Sequence, residues 1–402
     1  MTAQAEWTVL VFLNAKNSLE EFAFPNFLQM SEIGSSDEVN IVVEMGRPKQ
    51  HYSDKYGAWS KNLRFHITKG QEPTEADALT DLGDVNMGDP KSLVDFVAWG
   101  RETYPAKRTM LIIWNHGQGW RLPPPGHPKA ATGQLAGGFR YVSSDDDTGD
   151  KLYNRAIQDS LTELLAGQRL DIIAFDACLM AMVETAYALR GVARVMVGSE
   201  ELEPGQGWDY GRWLKPLIDA KGALTAEQLS CQLVRAMADQ YGDLVETTLS
   251  AVALDRLPDL ATSISKFATT ALPFITPMHI GAFRTARHNC TNYGSGYGLQ
   301  SIDLAHYLEE LVKVAPDPTV ASAANETLAV LRTAILDHHA SKSRQGSYGS
   351  NGLAIYYPES ASAKAGDRDG SGYDVGNQLY PVEFVQTQQW VAFLWAYWLL
   401  VP

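Results

Sequence analysis

Six short strand-like runs, at residues 9–13, 40–44, 63–67, 110–114, 172–175 and 195–197, constrain what this chain can fold into more than any other feature. Each has the length of a strand, and the two clearest, Met110-Leu-Ile-Ile-Trp114 and Ile172-Ile-Ala-Phe175, are apolar at every position. A strand that is apolar on both faces has to be covered on both, so these read as interior strands of a parallel sheet. Segments of helical period separate the runs, at 18–33, 90–103, 152–166 and 179–189, the first opened by Asn17 or Ser18 as its cap. Such alternation argues for βαβ units, and so for a mostly parallel central sheet with helices on its faces. Beyond Tyr210 helical period prevails, at 226–240, 257–271, 302–314 and 321–340, interrupted by strand candidates at 249–254 and 353–357. The expected fold is therefore α/β, with a core over residues 1–210 and a largely helical C-terminal half, residues 211–402, packed on it and adding strands.

Charge and cysteine usage narrow the function. With 33 Lys and Arg against 47 Asp and Glu, the net charge of −14 repels polyanions, which excludes nucleic acid as the expected partner and favours a cationic peptide. Cys178, Cys231 and Cys290 are too few and too odd a set for a disulfide framework and read as free thiols. The N-terminus enters Trp7-Thr-Val-Leu-Val-Phe-Leu-Asn14 without the basic flank and cleavage site of a signal peptide. With Met1 as the native start the expected compartment is cytoplasmic; with a different start, export is the expectation. The apolar run 391–401 falls short of the roughly 20 residues that a membrane helix needs and reads as a helix docked on the core, with no membrane association.

Reactive side chains of open α/β sheets gather at the ends of neighbouring strands. Two of the apolar runs carry such residues: 110–114 leads into Asn115-His116-Gly117, and 172–175 leads into Asp176-Ala177-Cys178. A cysteine is a nucleophile as its thiolate, and the helix expected from Leu179 onward would favour that anion with its dipole. His116 is the histidine, among nine, that ends a strongly apolar strand and precedes glycine. Gly117 leaves its N–H open to close approach, as a developing oxyanion requires. Either residue alone is more often structural; together they supply a base, a nucleophile and an oxyanion donor. The order His before Cys excludes a papain-like arrangement and agrees with that of caspases, where the His lies roughly 50 residues upstream.

Asp176 lies two residues before Cys178, on the same side if the strand persists that far. A carboxylate there opposes the thiolate, so it serves better as the floor of a pocket for Arg or Lys, or as a cap for the next helix. The segment 118–151, with Pro123-Pro124-Pro125 and the acidic run Asp145-Asp146-Asp147, is long for a plain connection. Asp145, Asp147 and Asp150 are candidates for a calcium site, but Gly149 falls one place early for an EF-hand, and a solvated loop whose last acid caps a helix at Leu152 is the simpler reading. His338 and His339, adjacent on the helix expected there, point apart and share no metal. Ser199, Glu200, Glu201 and Glu203 precede Pro204-Gly-Gln206-Gly-Trp208; they read as a solvated rim or, alternatively, as groups that bind a substrate's backbone or amino end.

The words Trp114-Asn-His-Gly-Gln-Gly-Trp120, Asp145-Asp-Asp-Thr-Gly-Asp-Lys-Leu152, Phe175-Asp-Ala-Cys-Leu-Met180, Gly198-Ser-Glu-Glu201, Pro204-Gly-Gln-Gly-Trp-Asp-Tyr210 and Gly352-Leu-Ala-Ile-Tyr-Tyr-Pro358 follow one another through most of the chain. In these words the sequence resembles the clostripain family of cysteine peptidases, relatives of caspases. The resemblance implies a caspase-like α/β/α sandwich and hydrolysis of peptide bonds after Arg or Lys by a His116 and Cys178 dyad. Gly117 and Cys178 would supply the oxyanion N–H groups, and Asp176 the acid of the pocket for the substrate's basic side chain. In family members the residue between the glycines of Pro-Gly-x-Gly-Trp is often a second acid; here it is the neutral Gln206. The resemblance also implies autoprocessing between the His and Cys strands, for which Arg140 and Lys151 are the candidates, and a calcium requirement in some members. No cofactor is needed for the chemistry itself. A catalytically silent fold that binds a peptide or partner protein in the same cleft is the alternative.

Overall fold

Nine strands hydrogen-bond into one sheet in the computed structural model of the protein, which describes residues 4–117, 119, 142–243, 245–344, 349–367, 372–376 and 382–402. In chain order the strands are β1 (Ala5–Asn14), β2 (Val39–Gly46), β3 (Asn62–His66), β4 (Thr80–Gly83), β5 (Ala106–Trp114), β6 (Ser143–Ser144), β7 (Lys151–Leu152), β8 (Leu170–Asp176), β9 (Ala193–Gly198), β10 (Thr248–Ala253), β11 (Ser301–Asp303), β12 (Ile335–Ala340) and β13 (Ala354–Tyr356). The large sheet has the order β12-β10-β9-β8-β5-β1-β2-β3-β4, while β6 pairs with β7 and β11 with β13. Its inner strands β2, β1, β5, β8 and β9 are parallel, and antiparallel strands flank them: β3 and β4 on one side, β10 and β12 on the other. Since β10 and β12 follow residue 210, the sheet crosses from the first half of the chain into the second.

Alternate residues of the inner strands enter two separate cores, which is why the runs are apolar throughout. Met110, Ile112, Trp114, Ile172 and Ala174 face one core, whereas Leu111, Ile113, Ile173 and Phe175 face the other. The helices are α1 (Glu20–Ile33), α2 (Pro90–Thr103), α3 (Asn154–Leu165), α4 (Val183–Leu189), α5 (Tyr210–Asp219), α6 (Ala226–Tyr241), α7 (Leu257–Ala271), α8 (Ile280–His288), α9 (Leu304–Val314), α10 (Pro318–Ala334), α11 (Ala361–Gly366), α12 (Glu383–Thr387) and α13 (Trp390–Leu400). The apolar sides of α1, α5 and α6 cover the first face; those of α2, α3, α4, α7 and the later helices cover the second. No helix among the described residues is long and apolar enough to cross a membrane.

Several expected elements differ in extent. The helix expected over 321–340 is α10 followed by β12: helical burial stops at Ala334, Ile335 turns extended, and the chain becomes the sheet edge beside β10. His338 and His339 therefore lie on a strand, where successive side chains still point to opposite faces. Residues 301–303 form β11 before α9 begins, with Asp303 as N-cap accepting from the His306 N–H. Leu152 belongs to β7 rather than to α3. The helix expected from Leu179 starts only at Val183.

The last helix α13 docks as the sequence indicates. Trp390, Phe393 and Tyr397 are buried, Trp390 stands edge-on to Tyr357 at 5.4 Å, and its indole N–H donates to the Tyr356 carbonyl at 3.0 Å. Replacing Trp390 by Ala removes a buried aromatic side chain and its indole hydrogen bond, so Trp390→Ala is expected to lower the unfolding free energy by about 3–5 kcal/mol in a urea titration.

Candidate active site

The register of β5 against β8 pairs Trp114 with Asp176 at the C-terminal ends of both strands. His116 and Cys178 each follow two residues later, and the Asn115 N–H donates to the Asp176 carbonyl to continue the pairing. Leu19, Trp114, Asn115, His116, Gly117, Asp176, Ala177, Cys178, Leu202, Glu203, Pro204, Gly205 and Gly207 line a cavity of about 250 Å³ there. The expected base, nucleophile and pocket acid are thus brought together. Gly117 packs on the nucleophile's own backbone: a Cβ on it would stand 2.3 Å from the Cys178 carbonyl oxygen. Close approach therefore requires glycine here.

Cys178 does not sit at a helix N-terminus. After it the chain takes a left-handed turn at Leu179, φ 62°, a conformation that costs a non-glycine residue about 1–3 kcal/mol. The Leu179 and Ala181 N–H groups donate to the carbonyls of Glu201 and Ser199, and the Ala181 carbonyl accepts from Ala354. These lateral bonds occupy the backbone that a helix would need, so α4 is delayed. The Cys178 sulfur accepts from the Glu203 N–H at 3.2 Å. Burial pushes the thiol up to about 12, reinforced by the charges of Glu203 and Glu201 against the Glu203 N–H bond.

A group of asparagines that the sequence reading passed over holds the His116 backbone. The Asn115 side chain accepts from the N–H groups of His116 (2.6 Å) and Ser144 (3.2 Å) and donates to the Asn14 carbonyl at 2.7 Å. Asn14 and Asn17 in turn donate to the Ser144 carbonyl, tying the ends of β1 and β5 to β6. The Ser18 hydroxyl lies 3.4 Å from His116 Nε2. Burial, with a smaller push from the Lys151 cation, holds the imidazole down at about 4.

Asp176 is buried, accepting on Oδ2 from the Tyr210 hydroxyl at 3.0 Å and the Trp208 N–H at 3.3 Å. Its burial raises the carboxyl to about 6. Gly207, with φ +60°, lets the loop pass against it; a Cβ there would meet Asp176 Oδ1 at 2.7 Å. Asn26 of α1 fixes both sides of this floor, accepting from the Trp114 indole and donating to the carbonyls of Gln206 and Trp208. Tyr241 and Gln240 of α6 donate to the Gly207 carbonyl.

The other expected substrate-binding residues lie elsewhere. Ser199 and Glu200 are buried and outside the cavity wall: the Ser199 hydroxyl bonds with that of Thr248, and Glu200 accepts from the Gly352 N–H at 3.0 Å. Glu201 accepts from the Gly294 N–H and pairs with Arg344 at 2.7 Å. Neither acid is a solvated rim; both tether the loop to the C-terminal half. Gln206 is exposed and does not line the cavity. Glu203 does, and no sequence signal beyond its nearness to the Pro-Gly-Gln-Gly-Trp word marked it.

The carboxylates proposed for calcium do not converge. Asp145 accepts from the N–H groups of Met87 and Thr148 and faces Lys16, Asp147 accepts from the Lys49 N–H, and Asp150 accepts from the Asn86 amide rather than capping a helix. Among the described residues no group of three His, Cys, Asp or Glu side chains is placed to hold a metal. Of the processing candidates, Lys151 pairs with Ser144 inside a ladder and is followed by the fully buried Leu152, whereas Arg140 lies outside the described residues.

The clostripain family model matches residues 11–397. Clostripain of Hathewaya histolytica is 28% identical over 228 residues, a match covering 51% of this chain and 41% of clostripain, so the chain spans about two fifths of that relative's length. A secreted C11 cysteine protease from Bacteroides thetaiotaomicron, solved with an irreversible peptide inhibitor, superposes with a TM-score of 0.61 at 18% identity, covering 88% of this chain and 92% of that one. An inactive zymogen C11 protease from Parabacteroides distasonis does so with a TM-score of 0.60 at 17% identity, covering 98% and 99%. At such identities the likeness is one of fold, and it bears out the caspase-like α/β sandwich.

With the thiol held up and the imidazole held down, both groups are neutral between about pH 4 and about pH 12 in the empty cleft. Alkylation of Cys178 by iodoacetamide is therefore expected to accelerate roughly tenfold per pH unit through the mildly alkaline range, without a plateau from a thiolate formed near neutrality. Stopped-flow or mass-spectrometric rates would check this; an inflection near neutral pH would indicate a preformed thiolate–imidazolium pair.

Proposed function

The chain belongs to the clostripain family, and from that premise we propose that it is a cysteine endopeptidase cutting after Arg or Lys, with Cys178 as nucleophile and His116 as its base. The observation that carries the reading is the single cavity that His116, Cys178 and the buried acid Asp176 line together. In this reading the Cys178 sulfur attacks the scissile carbonyl carbon while its proton passes to His116. The N–H groups of Gly117 and Cys178 stabilise the oxyanion, the C–N bond breaks, and His116 returns the proton to the leaving amine. Water then hydrolyses the thioester, releasing the acid and restoring the thiol. The cationic side chain beside Asp176 compensates the negative charge that otherwise opposes the thiolate, so that binding of the right substrate favours the reactive form. Autoprocessing in the loop between the two strands is part of the proposal, at Arg140, because the ladder around Lys151 keeps that bond from adopting an exposed, extended form in the cleft. The carboxylates at 145, 147 and 150 do not fit a calcium ion, and no step is assigned to one.

Fluorogenic peptides ending in Arg or Lys at the scissile bond are expected to be cleaved by the wild-type protein, and Cys178→Ala to lower kcat/KM roughly 10⁴-fold or more. A wild-type protein that neither turns over these peptides nor is labelled by a basic peptide electrophile would instead be a silent binding fold. Intact-mass spectra of the wild type and Cys178→Ala test the processing: a cut after Arg140 is expected only in the former.

A further inference from the structure

Recognition of a guanidinium or ammonium group requires several acceptors, and Asp176 alone is short of them. Its Oδ2 is taken by Tyr210 and Trp208, which leaves Oδ1 for a group with up to five donors. Gln206 is exposed and lies off the cavity wall. Glu203 lines the same cavity, and both of its carboxyl oxygens are buried with no donor in hydrogen-bond geometry. Its polar neighbours are the Asp176 carboxyl and the Trp208 side chain. Two carboxyl oxygens buried without a donor beside a cavity, against a second carboxyl, are a cluster to which a cationic group would bring the donors it lacks.

We propose that Glu203 is the second acid of the specificity pocket, so that the substrate's Arg or Lys side chain is held between Asp176 and Glu203. The proposal rests on the reading of the cleft as one that cuts after basic residues. The remaining ionisable groups around the pair are Cys178 and His116 at the strand ends, Glu201 on the same loop, Tyr210 of α5 and Tyr241 of α6. The thiol, the imidazole and both phenols are neutral at ordinary pH, so the pair meets no cation from the wall of the empty cavity. Two carboxyls packed together without a counter-charge are pushed towards the protonated form, and a bound cation opposes that push. Because the Glu203 N–H also binds the Cys178 sulfur, one residue contacts both the substrate's charge and the nucleophile.

The decisive measurement compares Glu203→Gln with the wild type on peptides carrying Arg or its neutral isostere citrulline at the scissile bond. Expected is a rise in KM of roughly 30-fold or more for Arg, with kcat nearly unchanged and citrulline unaffected; Glu203→Asp should recover part of the loss. Equal losses on both peptides, or no change on Arg, would overturn the proposal. Should Glu203→Gln fail to fold, or the wild type cleave neither peptide, benzamidine binding to Cys178→Ala decides. Calorimetry in two buffers of different ionisation enthalpy at about pH 7.5 should then show about one proton released per benzamidine bound. No release would sink the proposal, and an inert wild type that still releases the proton would count against the cleavage reading alone.

Discussion

The in-register pairing of β5 with β8 is the constraint on which the rest of the site depends. With Trp114 opposite Asp176, the two strands end level, and the next residues of each deliver His116 and Cys178 to one rim of the sheet. A slip of one residue would exchange the two cores, sending Ile113 and Phe175 into the space of Trp114 and Ala174. Because both faces are fully packed, the register is held by the whole sandwich and not by the site. The apolar runs therefore do two things at once: they build the cores and they align the ends.

Electrostatics in the cleft works against ionisation of the Cys178 thiol. Burial raises the thiol, lowers the imidazole and raises the nearby carboxyls, and each shift favours the neutral form. The sum is a site with little charge of its own, which avoids the penalty of buried unpaired ions. A cation entering beside Asp176 reverses the balance: it favours ionised carboxylates, and it offsets the repulsion those carboxylates would exert on a thiolate. On the proposed reading, specificity and activation would have one cause, the charge of the substrate.

Much of this was legible in the sequence because it depends on period. Alternation of strand and helix gave the inner sheet, and the spacing of two placed Asp176 with Cys178. What period could not show was tertiary competition for backbone bonds. Residues 179–182 have a helical pattern, yet their N–H groups and carbonyls are taken by the loop at 199–201 and by Ala354, so the helix starts at Val183. The same blindness misplaced Glu200 and Glu201 on a solvated rim, since acids in a Gly- and Pro-rich stretch look exposed until their partners, Gly352, Gly294 and Arg344, arrive from far along the chain. Glu203 was open to both readings, rim or substrate-binding group, for the converse reason: nothing local distinguishes an acid on a cavity wall from one aimed at water.

Those long-range tethers explain how the C-terminal half supports the site although, among the described residues, it contributes none to the cavity wall. The loop carrying Glu203 leaves β9 at Ser199, which bonds to Thr248 on β10, and the Glu200 carboxyl is raised by its burial and by the nearby charge of Asp303, the cap of α9. Asp303 in turn accepts from the Asn351 N–H at 2.7 Å, next to the Gly352 N–H that Glu200 accepts. Arg344 completes the set on Glu201. Removing these partners would leave buried acids unpaired on the loop that holds both the nucleophile's sulfur and the pocket. The position of the Glu203 N–H relative to Cys178 is thus set by residues from 248 to 352, so the geometry of the candidate site is a property of the continuous nine-stranded fold rather than of its first half.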